Sequence, residues 1–188
     1  MRDSIRIALA ITLLAVTSVG NAFAEDAKSS FTSDVLTNLE RTGEKLLALA
    51  ETTPEDKFSW RPNDEVRTLS EVYMHVVGTN ILLPVAMGAA PPKGLELPEN
   101  PFALMSEWEA KVTTKKEVVA KLRESLDYAA EAIGSIEDLE TEVDIFGPPS
   151  SKRAWILVVL THAHEHLGQA IAYTRTMGIA PPWSRSAN

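Results

Sequence analysis

The chain has 188 residues, no cysteine, four histidines and a formal net charge of −8, from 26 acidic against 18 basic side chains. That acidity argues against a nucleic-acid partner, since phosphate binding calls for a basic surface, and it disfavours docking on anionic lipid. Without cysteine, disulfides, iron–sulfur clusters, covalent haem and thiol nucleophiles are excluded, and the fold must be held by side-chain burial alone.

The N-terminal segment stands apart from the rest. Arg2 and Arg6 precede an uncharged apolar stretch from Ile7 to about Val19, and Ala22-Phe23-Ala24 closes it with small residues at the cleavage positions. This is the pattern of a secretory signal peptide, residues 1–24, cut before Glu25. The apolar run falls short of the roughly 20 residues that span a bilayer, so cleavage is expected rather than an anchor. The mature protein is therefore expected to be periplasmic or secreted, free of the membrane. Residues 25–188 number 164, enough for one domain with its own core. Loss of Arg2, Asp3 and Arg6 moves the net charge from −8 to about −9.

Four segments of the mature chain carry helical spacing, and almost nothing reads as strand. The first runs from about Ser33 to Glu51, with Val35, Leu36, Leu39, Leu46, Leu47 and Ala50 on one side and Thr32, Ser33 or Asp34 as its cap. Pro54 and Pro62 then forbid a continuous helix. The second begins near Thr68 or Ser70 and carries Leu69, Val72, Val76, Ile81 and Leu82 as far as about Met87. A long connection with Pro91, Pro92, Pro98 and Pro101 follows, and reads as a crossover rather than a tight turn. The third, from roughly Ser106 to Ile136, is the most charged and is expected to be one helix, bent if not straight. The fourth spans about Ser151 to Met177 and ends at Gly178. The fold class expected is all-α: a four-helix bundle with one long crossover connection.

Three of the four histidines fall in "THAHEHLGQ", residues 161–169. On a helix, His162 and His166 lie about 40° apart, whereas His164 points to the opposite side. Trp155, Val159, His162, His166, Ala170 and Tyr173 form one stripe facing the bundle, which leaves His164 a bystander. Two imidazoles one turn apart can reach a single divalent ion, but a third ligand must come from another helix. The remaining histidine, His75, sits mid-helix beside Val72 and Val76. Each histidine alone suits a hydrogen-bonded core position. Three buried together favour a shared partner, because desolvating each titratable group separately costs stability.

Known metal motifs separate on spacing. Gly168 stands four after His164, so H-E-x-x-H fails, and no Glu-x-x-His pair of the di-iron bundles occurs. His162-Ala163-His164-Glu165-His166 does spell H-x-x-E-H, but only 22 residues follow His166, too few for the further ligand that motif needs in its usual α/β setting.

Three stretches resemble the DinB/YfiT-like family of metal-dependent enzymes: "KFSWRP" (57–62), "LSEVYMHVV" (69–77) and "HAHEHLGQAIAYTRTMGIAPPW" (162–183). The likeness covers roughly residues 33–184, and its most specific element is His-x-x-x-His-x-Gly-Gln. It implies a four-helix bundle with His75, His162 and His166 as ligands of one divalent ion. It further implies that Gln169 orients a ligand or bound water, that Gly168 admits a neighbouring helix, and that Trp60 and Pro62 are structural. Arg175 is expected either to clamp a carboxylate or, by preference, to cap carbonyls near its helix end. Three neutral imidazoles leave roughly two or three coordination positions open, as in catalytic sites. Zinc or nickel suits them; iron or manganese ordinarily brings a carboxylate. The expected function is a metal-dependent enzyme on a small molecule, hydrolase-like or thiol-transfer-like, with a homodimer allowed for. The alternative is a non-catalytic periplasmic metal- or ligand-binding bundle. A b-type haem bundle using one histidine with Met74 or Met87 ranks third.

Overall fold

Helices form in every segment where apolar spacing predicts them, and the side chains of Thr68, Thr114 and Ser151 cap three of them. The computed structural model describes residues 30–184, so the signal peptide expected at 1–24 lies outside the described residues. The chain divides into two units, Met1–Asp34 and Val35–Asn188. Of the first, residues 30–34 are described and are already helical, so Thr32, Ser33 and Asp34 stand inside the helix rather than capping it. The second unit holds the bundle.

Helix α1 covers described residues 30–52, α2 Leu69–Ala86, α3 Ala103–Lys111, α4 Lys115–Ser135 and α5 Lys152–Thr176. A short antiparallel hairpin, β1 Glu142–Val143 with β2 Ser150–Ser151, bridges α4 and α5, with Glu142 opposite Ser151. The Thr68 hydroxyl accepts the Glu71 amide, and the Glu71 carboxylate accepts the Thr68 amide at 2.6 Å, a reciprocal cap that sets the start of α2. Ser151 caps α5 by accepting the Ala154 amide. No helix among the described residues is long and apolar enough to cross a membrane.

The third predicted helix is two helices. Val112 is extended, with φ −99° and ψ 96°, and Thr114 caps a new start by accepting the Glu117 amide. The Thr114 hydroxyl also donates to the Glu117 carboxylate at 2.6 Å. Thr-Lys-Lys-Glu is itself a helix-start signature, so the break has a local cause.

The bundle proper is α1, α2, α4 and α5, and α3 lies on α2 within the long connection. Leu36 approaches Gly134 and Gly43 meets Leu126, while Lys115 reaches the carbonyls of Glu51 and Thr53, so α1 and α4 run antiparallel. His166 stands by His75 and His162 by Thr79, so α2 and α5 are antiparallel too. Asn80 donates to Ser125, and further along Tyr128 donates to the Ala90 carbonyl, so α2 and α4 run in the same sense. Two consecutive bundle helices can be parallel only if their connection crosses the bundle, as the proline-rich stretch does. Thirteen of the 18 residues of α2 are buried, which makes it the central helix. Leu46, Leu49, Phe58, Leu122, Ile133 and Ile156 complete the core around it.

Candidate metal centre

The site assembles where α3 and α5 each pack on α2. On α2, His75 and Thr79 are one turn apart and share a face. On α5, His162 and His166 do the same and face them. His75, His162 and His166 each offer a ring nitrogen, and these nitrogens lie within 4.8 Å of one another. Ring centroids stand 4.9 Å apart for His75–His162 and His75–His166, and 4.3 Å for His162–His166. His164 is exposed on the other side of α5, where its ring nitrogens meet the Leu160 carbonyl and the Thr42 hydroxyl of α1.

Outer partners fix the tautomers of His75 and His166, whereas the buried Nδ1 of His162 meets no hydrogen-bond partner among the described residues. The Gln169 Oε1 can only accept, so His166 Nδ1 carries the proton that joins them at 2.8 Å and turns Nε2 toward the cluster. The Glu109 Oε1 likewise takes the His75 Nδ1 proton at 2.7 Å, leaving Nε2 as the free lone pair. His162 Nε2 lies 3.1 Å from His166 Nε2 and 3.3 Å from the Thr79 hydroxyl, whose own proton goes to the His75 carbonyl. Two nitrogens bound to one tetrahedral ion at about 2.0–2.1 Å would stand roughly 3.3 Å apart. The spacing of His162 and His166 fits a shared ion.

These partners close on themselves. Gln169 Nε2 donates to the Tyr173 hydroxyl at 3.0 Å, Tyr173 donates to the Arg67 carbonyl at 3.3 Å, and Arg67 Nε donates to Glu109 Oε2 at 2.9 Å. One chain of hydrogen bonds therefore runs from His166 round to His75, and neither ring can turn without breaking it. Burial, aided by the positive charges of His166, His75 and Arg67, pushes His162 down to about 3. His75 is also lowered, by burial first, against the opposing pull of its bond to Glu109. Neutral imidazoles are the form that ligates metal. Beside the cluster opens a cavity of about 480 Å³ whose walls include Arg61, Arg67, Glu71, Glu109 and Gln169.

Glu109, Arg67 and Thr79 escape sequence reasoning. Glu109 looks like one more charge on a charged helix, indistinguishable from Glu107, which pairs with Lys111 at the surface. Gln169 stands where the family likeness implies a supporting residue. Gly168 does not act as expected: a side chain there would meet open space, so no helix approaches it. Trp60 packs edge-on against Tyr173, with centroids 5.3 Å apart, and its carbonyl accepts the Leu69 amide, a structural part as expected. Arg175 lies in the last turn of α5, where its charge complements the helix dipole. Met74 lines a different, apolar cavity on another face of α2.

The comparisons with known proteins agree with this architecture. The model of the DinB superfamily matches residues 38–170. A DinB-like protein from Bacillus cereus ATCC 10987 has a similar structure, with a TM-score of 0.64 at 20% identity, covering 79% of this chain and 93% of that one. YfiT from Bacillus subtilis, described as a probable metal-dependent hydrolase with an unusual four-helix bundle topology, gives 0.58 at 17% identity over 79% of this chain and 89% of its own. A second DinB-like protein from Bacillus subtilis gives 0.56 at 17% identity, over 77% and 92%. No curated protein matches the sequence.

Proposed function

This chain belongs to the DinB superfamily, and we propose that it is an exported metal-dependent enzyme of hydrolase type, with His75, His162 and His166 holding one divalent ion. One observation carries the reading: three imidazoles on two helices offer nitrogens within 4.8 Å of one another, with no carboxylate in the set. The description of YfiT as a probable metal-dependent hydrolase supports the same class. An all-nitrogen set suits zinc or nickel.

An ion held there would supply Lewis-acid chemistry and lower the pKa of water toward neutrality. The chain's own residues do the positioning. Glu109 holds the His75 proton away from the cluster, and Gln169 does the same for His166. Both oxygens of Glu109 are engaged, by His75 and by Arg67, so it orients rather than takes protons from substrate. The cavity beside it, walled by arginines and carboxylates, suits a polar small molecule. The signal peptide read at residues 1–24 would deliver the enzyme to the periplasm, where low-molecular-weight thiols are scarce, which favours hydrolysis over thiol transfer.

Elemental analysis of purified protein and its variants tests the site. Replacing His75, His162 or His166 by Ala should each remove most of the metal, and His164→Ala should leave it in place. Equal loss in the His164 variant would overturn the ligand set. Hydrolase and thiol-transfer substrate panels on metal-loaded protein then test the activity. Full metal with no turnover on either panel would turn the reading to the non-catalytic binding bundle.

A further inference from the structure

The geometry points to a second ligand site, independent of the histidines, that takes a small amphipathic carboxylate. Met74, Val77 and Ile81 follow one another at three- and four-residue steps, so they share a face of α2, turned from the one that carries His75 and Thr79. Trp108 and Val112, at the end of α3, close over this face, and Leu95 of the crossing connection and Tyr128 of α4 complete the walls. The result is a cavity of about 320 Å³, at the small end of ligand pockets, with apolar walls and a few polar groups at its edge.

The charged groups decide the class of occupant. Lys93, Lys121 and Glu124 line the cavity. Lys121 is matched by Glu124 at 2.9 Å, whereas Lys93 has no ion-pair partner among the described residues. One uncompensated cation therefore edges an apolar pocket on a chain whose net charge is −8. The Tyr128 hydroxyl is occupied by the Ala90 carbonyl, which ties the connection to α4 and holds that wall in place. A short hydrocarbon or aromatic body would bury against Val77, Ile81 and Trp108, with its carboxylate at Lys93. The site backs onto the metal cluster without sharing a residue with it: Met74 precedes His75, and Trp108 precedes Glu109.

Calorimetric titration of the full mature chain with octanoate tests this, run with and without chelator. Octanoate should bind saturably and equally in both. Octanol, octylamine and acetate should bind roughly fivefold or more weakly, since each lacks either the charge or the body. Lys93→Glu should weaken octanoate to the same degree, and Ile81→Trp, which fills the cavity, should abolish binding. Lys93 is exposed, so its variant keeps the fold and decides the matter even if Ile81→Trp does not fold. Three results would each overturn the site: octylamine or octanol binding as well as octanoate, octanoate binding that survives Lys93→Glu, or binding that vanishes with the metal.

Discussion

Replacing Glu109 isolates the part of the metal centre that lies one bond beyond the ligands. Its Oε1 accepts the His75 Nδ1 proton at 2.7 Å, and its Oε2 accepts Arg67 Nε at 2.9 Å. Glu109→Ala removes both contacts, freeing the His75 ring to rotate and withdrawing the negative charge that raises its basicity toward an ion. Loss of such an outer partner ordinarily costs 10- to 100-fold in metal affinity, or about 1.4–2.7 kcal/mol. The upper half of that range is expected, because Arg67 stays behind unpaired and repels a cation in the cluster. Glu109→Gln should fall in the lower half. Its amide oxygen can still hold His75 Nδ1, but its amide hydrogens then face the donors of Arg67. Competition against a chromophoric chelator, with zinc and with nickel, measures the dissociation constants. Glu107→Ala is the control: it sits on the same helix and pairs with Lys111 at the surface, so it should change nothing. If Glu109→Ala bound metal as tightly as the parent protein, or if Glu107→Ala lost as much affinity, the positioning role of Glu109 would be wrong.

Acid should destabilise the chelator-treated protein through His162. Its pKa is held near 3 in the fold by burial and neighbouring positive charge, against about 6.5 unfolded. Above that unfolded value neither state carries the proton and the group costs nothing. As pH falls from about 6.5 toward 3 the unfolded chain takes up a proton that the fold refuses, so stability drops, by at most about 1.4 kcal/mol per pH unit for one proton. Thermal melts at pH 7.5 and pH 5 should show this fall, and a shallower one in His162→Asn; equal slopes would remove His162 as the cause. Metal-loaded protein should melt higher than chelated protein at pH 7.5, with the gap closing by pH 5, since protons compete for the ligand nitrogens. Gly78→Ala should disturb the metal centre from a distance. A methyl there would come within 2.8 Å of the Met105 side chain on α3, the helix that carries Glu109, so weakened metal binding should accompany a Tm loss. Unchanged affinity would mean that Met105 yields without moving α3. N-terminal sequencing of periplasmic protein should read from Glu25; intact residues 1–24 on membranes would support an anchor instead.

The chain alone determined where four helical stretches lie and that His162 and His166 share a face, and the length of the proline-rich connection gave the one crossover. Position and facing follow from spacing, which is local: a helix turns 100° per residue whatever surrounds it. The break before Lys115 was local as well, written in Thr114 and Glu117, but the charged run around it resembles one long solvent-facing helix. His75 is a harder case. It lies on a helix buried on nearly every side, so no polar face marks its phase, and only contact with α5 shows which way it points. Glu109 could not be told from Glu107 by sequence, because what distinguishes them is the partner each meets. One reaches His75 and Arg67 across the fold, 34 and 42 residues away; the other reaches Lys111 on its own helix. The closed chain of hydrogen bonds from His166 to His75 belongs to the tertiary structure for the same reason: helix spacing governs its step from His166 to Gln169 and on to Tyr173, but the step from Tyr173 to Arg67 joins residues 106 apart, and only the docking of α5 beside α2 brings them within reach.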